Sequence, residues 1–167
     1  MASSAFPSTG TLANKWLVRQ SVTSTSNAAS SSTAIIPLAT IPQITDGAQL
    51  ITVTITPEHA LNELVIDFYC PVAGPGGVGA TVFILCKNGV SACLNACSLA
   101  TTGTNVDPVR LYYRMTAGTT SPVTFQIRFG TNSGGSSAHV LQSSSGSYNF
   151  GGGLHYYLNV TEIGPNP

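Results

Sequence analysis

The octapeptide Gln49-Leu50-Ile51-Thr52-Val53-Thr54-Ile55-Thr56 alternates from Ile51 onward, aliphatic at Ile51, Val53 and Ile55 and hydroxylated at Thr52, Thr54 and Thr56. Successive side chains of an extended chain point to opposite faces, so a period of two sends the three aliphatic residues to a core and the threonines to water. A helix would scatter both sets round its circumference. The stretch therefore reads as a half-buried strand, and the same reading holds outward along the chain for residues 15–22, 63–69, 81–86, 109–115, 123–129, 138–142 and 154–160, all rich in β-branched or aromatic residues. Turn-forming clusters separate these runs: Thr45-Asp46-Gly47, Gly74-Pro75-Gly76-Gly77, Asn88-Gly89, Gly118-Thr119-Thr120 and Asn132-Ser133-Gly134-Gly135.

Eight or more strands at spacings of roughly ten residues predict an all-β fold, a single antiparallel β-sandwich or jelly roll, because a parallel sheet would need crossover helices. Asn88-Gly89 is the preferred centre of a type I′ turn and is expected to pair 81–87 with 90–97. Helix-start grammar occurs once, at Thr56-Pro57-Glu58-His59-Ala60-Leu61, with Thr56 as cap and Pro57 at the first helical position. The serine-rich stretch 21–33 carries too little apolar content for a core element and reads as a loop or an arm lying on another surface. The chain divides into an extended N-terminal arm over 1–14 and a jelly-roll domain over 15–167.

Charge is the compositional anomaly. Six Lys and Arg and six Asp and Glu stand in 167 residues, with formal net charge zero, against roughly a quarter charged in an ordinary soluble domain. Nineteen serines and twenty threonines supply polarity in their place. A lone domain with so little charge would be a poor colloid, which points to assembly: surface that meets identical copies or a larger particle is never tested by water. Six scattered cations do not form a nucleic-acid footprint. No apolar run approaches the roughly 18 residues of a membrane span, and Met1 to Gly10 has neither the basic start nor the apolar core of a signal peptide, so the chain is expected to be made in a cytoplasm.

Motifs for chemistry are weak. Gly74-Pro75-Gly76-Gly77-Val78-Gly79 matches G-x-G-x-x-G in letters but opens onto a strand, so no nucleotide cofactor is read from it. Cys70, Cys86, Cys93 and Cys97 contain no C-x-x-C pair, and His59, His139 and His155 stand apart, so no metal set is assigned. The cysteines read as buried thiols in a cytoplasmically made chain. A disulfide is the alternative for a particle that matures outside the cell, Cys93 and Cys97 being close enough in sequence to bond across a turn. No G-x-S-x-G elbow occurs; a His59, Asp67 and serine trio is an arithmetic product of 19 serines, and no catalytic residue is assigned. Glu63 and Asp67 are expected on a solvent face or paired with Arg110 or Arg114.

The richest aromatic region runs through Tyr148, Phe150, three glycines, His155, Tyr156 and Tyr157. Flat rings beside glycines can form a shallow sugar or protein site, and the competing reading is a last strand packed into the sheet or on a neighbouring subunit. Alternation there puts Leu154, Tyr156 and Leu158 on one face and His155, Tyr157 and Asn159 on the other. Phe6, Leu12 and Trp16 are the candidate contacts of an assembly arm.

Several short motifs in fixed order carry a family resemblance: Ile41-Pro42-Gln43-Ile44-Thr45-Asp46-Gly47, Ile55-Thr56-Pro57, Leu64-Val65-Ile66-Asp67, Met115-Thr116-Ala117-Gly118-Thr119-Thr120, Phe125-Gln126-Ile127-Arg128, Phe150-Gly151-Gly152 and Val160-Thr161-Glu162-Ile163. Over roughly Ser32 to Gly164 the chain resembles a family of small β-rich proteins and terminal domains of tailed bacteriophages and prophages. The resemblance implies a trimeric, non-enzymatic jelly roll of the virion surface, with other virion proteins such as capsid or tail proteins as partners, and it supplies no catalytic residues. The expected role is capsid decoration or a short head fibre; the alternatives are a tail-fibre receptor-binding domain, or a lectin-like module for a host surface glycan. Cys86, Cys93, Cys97 and the Gly-Pro loop after Cys70 depart from the family pattern.

Overall fold

The computed structural model describes residues 16–75, 79–100, 107–143, 147 and 149–165. Ten strands follow in order: β1 Trp16–Ser26, β2 Ser30–Ser32, β3 Ala48–Ile55, β4 Glu63–Pro75, β5 Ala80–Lys87, β6 Asn95–Ala100, β7 Asp107–Thr116, β8 Val123–Thr131, β9 Ala138–Val140 and β10 Tyr156–Pro165. All strand pairings are antiparallel. One sheet runs β1-β10-β4, with β7 on the other side of β4 and short β9 and β2 continuing from its far end; the second runs β3-β8-β5-β6.

Setting aside the three-residue strands β2 and β9, the eight long strands stand as first-eighth-third-sixth in one sheet and second-seventh-fourth-fifth in the other. This is one long hairpin, pairing β1 with β10, β3 with β8, β4 with β7 and β5 with β6, rolled so that its arms meet again at β10·β4 and β5·β8. The fold is therefore a jelly roll, two Greek keys facing each other as a sandwich. Side-chain bonds close both open sides, Gln20 Nε2 donating to the Thr56 carbonyl at 2.6 Å beside β3 and Asn95 Nδ2 of β6 donating to the Tyr112 carbonyl of β7 at 3.0 Å.

The core lies between the sheets. Leu64, Ile66 and Phe68 of β4 and Leu158 and Val160 of β10 face Ile55, Phe83, Leu85, Phe125 and Ile127 from the other sheet, and Phe68 meets Phe83 across the gap at a 5.7 Å centroid separation. Each such buried side chain contributes about 1.5–3 kcal/mol, whereas an exposed ion pair gives under about 1. Three ion pairs among the described residues cannot rival that burial.

A second, smaller core covers the outside of the β3-β8-β5-β6 sheet. The segment 34–46 lies there with Ile36 packed on Val82, Ile84 and Cys86, and Ile44 and Cys93 beside them. Its backbone is tied down by Ile36 N–H to the Thr131 carbonyl, Thr131 N–H to the Ala34 carbonyl, Ile44 N–H to the Ser91 carbonyl and Cys93 N–H to the Pro42 carbonyl, all between 2.7 and 2.9 Å. Gly130 permits the approach: a Cβ there would run into the Ala34 carbonyl.

Four local expectations are corrected. Residues 81–86 do not alternate, since β5 is buried on both faces and needs a continuous apolar run. Much of 21–33 is strand, β1 and β2, because an edge strand needs only the single ladder that β10 supplies and can leave Ser21, Thr23 and Thr25 in water. No helix forms at 56–61, where the Glu162 carboxylate takes the amides of Glu58 and His59. Gly89 does turn, at φ 81°, but Asn88 keeps a negative φ because its N–H continues the ladder to the Thr124 carbonyl, so the turn is not type I′ and β6 starts at Asn95.

Candidate functional site

The outward face of the β1-β10-β4-β7 sheet follows from parity. Leu64, Ile66 and Phe68 point inward, so Glu63, Val65, Asp67 and Tyr69 point outward; Leu158 and Val160 likewise turn Tyr157, Asn159 and Thr161 outward. Register then builds rows across the strands: Thr25, Tyr157, Tyr69 and Arg110 in one, and Thr23, Asn159, Asp67 and Tyr112 in the next.

Arg110 grips Asp67 with a bidentate pair, Nε to Oδ1 at 2.7 Å and Nη2 to Oδ2 at 3.0 Å. Tyr157 donates to Asp67 Oδ2 at 3.4 Å, and its ring lies 5.9 Å from that of Tyr69 with 35° between planes. Partial burial and the Asp67 charge push the Tyr157 phenol above its ordinary range, so it stays a donor. The Asp67 hydrogen bond also holds the Arg110 guanidinium above its ordinary range. Lower on the face Arg114 Nη2 meets Glu63 Oε2 at 2.6 Å, and Ser21 donates to Asn159 Oδ1 at 2.8 Å. The arrangement is a charge-balanced lattice of phenols, hydroxyls and one amide. It can bind, but it offers no activated nucleophile.

Glu162, three places further along β10 from Asn159, faces the other way and is fully buried. Its carboxylate accepts from the Glu58 amide at 2.9 Å, the His59 amide at 3.2 Å, Asn62 Nδ2 at 2.7 Å and Gln20 Nε2 at 2.6 Å. Burial pushes this carboxyl up, but the four donors outweigh it and hold the group below the usual carboxylate range. It thereby fixes the 56–62 loop, whose exposed Leu61, with Trp16, His59, Ala60, Asn62 and Pro165, lines an apolar hollow of about 500 Å³.

The residues singled out from sequence fall into different places. Trp16 is 56% exposed at the start of β1, while Phe6, Leu12 and Tyr148 lie outside the described residues. Phe150 is exposed at a positive φ of 51°, and His155 is exposed at the entry to β10. Tyr156 is turned into the core at 2% exposure, which removes it from any ligand face, whereas its neighbour Tyr157 is on the outer lattice. Asp67 and Glu63 pair with Arg110 and Arg114 as anticipated. Cys86 and Cys93 form a disulfide with Cα atoms 4.3 Å apart, while Cys70 and Cys97 are thiols. The disulfide departs from the reduced expectation, and Cys93 bonds to Cys86 because the turn after β5 brings those two positions together. Burial pushes the Cys97 thiol up to about 11, so it is a poor nucleophile.

Sequence reasoning placed Asn159 on the face of Tyr157 without reading it as a site, and passed over Tyr69 and Tyr112. The signal available was parity, since Tyr69 stands two places from Asp67 and Tyr112 lies between Arg110 and Arg114. His139 was also passed over as a site; it is 7% exposed, 2.8 Å from Ser137 Oγ through Nε2 and 3.2 Å from Gln142 through Nδ1, and its burial pushes its pKa down. No cluster of three potential metal ligands and no helix long and apolar enough to cross a membrane occurs among the described residues.

No family model matches the chain, and no curated protein matches it. Among solved structures it is similar to the VP2 subviral particle protein of infectious bursal disease virus, at 13% identity and a TM-score of 0.38, over 90% of this chain and 43% of that one. The chain thus spans less than half the length of that protein.

Proposed function

We propose that this chain is a non-enzymatic structural component of a virion, a trimeric decoration or short head-fibre protein on the surface of a tailed-phage particle. The observation that carries the reading is the apolar surface at the start of β1: Trp16, 56% exposed, and Leu61, 87% exposed, line the hollow, and Val18, 65% exposed, follows two places along the strand. Large grouped apolar side chains in water mark an interaction site, and a chain with twelve charges has little else to keep such a surface soluble. The jelly-roll order and the ordered sequence motifs support the same reading, since rolled sandwiches of this kind serve in viral shells and lectins.

Antibody-gold electron microscopy on intact particles tests it. Gold over the heads is the expected outcome. Gold confined to the tail tip would transfer the assignment to host adsorption, and unlabelled particles would overturn the virion reading altogether.

A further inference from the structure

We propose that the outer lattice centred on Tyr69, Tyr157, Asp67 and Arg110 is a binding site for a neutral glycan. The inference goes beyond the virion role and does not depend on where in a particle the chain sits. Charge is the first argument. The two carboxylates of this face are each matched by an arginine, Asp67 by Arg110 and Glu63 by Arg114, so the face has no net field to attract a phosphate, sulfate or sialate. An anion would meet at Arg110 a charge already offset by a bidentate carboxylate, a strong form of that hydrogen bond, so little net attraction is left for it.

Chemistry of the remaining groups is the second argument. Ser21, Thr161, Tyr157 and Asn159 Oδ1 are bonded within the face, but burying it dry against protein would leave the Tyr69, Tyr112, Thr23 and Thr25 hydroxyls and Asn159 Nδ2 in need of partners, at a cost for each one unmet. Sugar hydroxyls, which both donate and accept, meet that need, while the C–H face of a sugar ring lies on a phenol ring. Two tyrosine rings 5.9 Å apart, backed by sheet and with Tyr157 held by Asp67, offer such a platform with little entropy left to lose. Tyr112, 48% exposed in the adjacent row, extends the platform.

The test is titration of the full chain, by tyrosine fluorescence and NMR, with neutral α- and β-linked glucose and galactose hexasaccharides and with sialylated and phosphorylated counterparts. Saturable binding of a neutral hexasaccharide is expected, with the NMR shifts on β4, β7 and β10. Tyr69→Ala is expected to weaken it about tenfold, as loss of one stacking ring implies. Tyr157→Phe, which keeps the ring and the fold, is expected to weaken it severalfold. Asp67→Asn frees Arg110 and is expected to shift preference toward the anionic sugars. Failure to bind any neutral sugar, a wild-type preference for anions, affinity unchanged by Tyr157→Phe and Tyr69→Ala, or burial of Tyr112 between copies of the chain would each overturn the proposal, while leaving the gold-labelling result untouched.

Discussion

Thr81 is the residue at which this fold accepts a polar cost. Its Oγ1 is buried, with no hydrogen-bond partner among the described residues, on a strand whose two faces are both covered. An unmet buried hydroxyl costs about 1–3 kcal/mol, and valine has nearly the same shape. Thr81→Val is therefore expected to stabilise the protein by about 1 kcal/mol, read as a raised denaturant midpoint with unchanged slope. A lowered midpoint would mean that the hydroxyl is satisfied. Glu162 is the opposite case, a buried charge with four donors. Asp67 and Glu63 were legible on an outer face because strand parity is a local fact, although their arginines stand 43 and 51 residues away. Glu162 was not, since the Glu58 amide that it holds is 104 residues away.

The 34–46 segment, which belongs to no long strand, depends on long-range ties. It holds to the sheet through Ile36, through four backbone bonds and through the loop closed by Cys86–Cys93. A loop this short is worth about 2–3 kcal/mol as a constraint on the unfolded chain. Reduction with dithiothreitol is expected to lower stability by that amount and to speed hydrogen exchange at the Ile44 and Cys93 amides while leaving Ile66 and Val160 protected. Unchanged protection at Ile44 would show that Ile36 packing alone holds the segment. The two strands misread from sequence differ in how many of their sides are covered. Apolar content undervalued β1, a strand with a ladder on one side, and alternation misdescribed β5, a strand with a core on both.

For the whole molecule, acid is expected to act in two stages. Buried His139 has a lowered pKa, so below the ordinary histidine value of 6.5 the unfolded chain binds a proton that the folded one resists, and stability falls as pH falls. Glu162 also has a lowered folded pKa; its contribution is present above the ordinary carboxylate value of 4.5 and is lost as pH drops through the folded value. Urea unfolding at pH 7.5, 5.5 and 3.5 is expected to show both losses, and His139→Gln to flatten the first. A stability independent of pH between 7.5 and 5.5 in the wild type would contradict the buried neutral histidine.

By itself the sequence determined the fold class, the two-faced character of most strands and the scarcity of charge, because a period of two is written by the geometry of each extended residue and needs no partner. Only the tertiary structure decided the rolled strand order, the double burial of β5, the choice of Cys86 as the partner of Cys93, the orphan hydroxyl of Thr81 and the meeting of Tyr69, Tyr157 and Arg110 in one row. Those outcomes depend on register between strands far apart in the chain, where a slip of one residue would exchange the two faces of a strand, and nothing local specifies that register before the sheets close on their core.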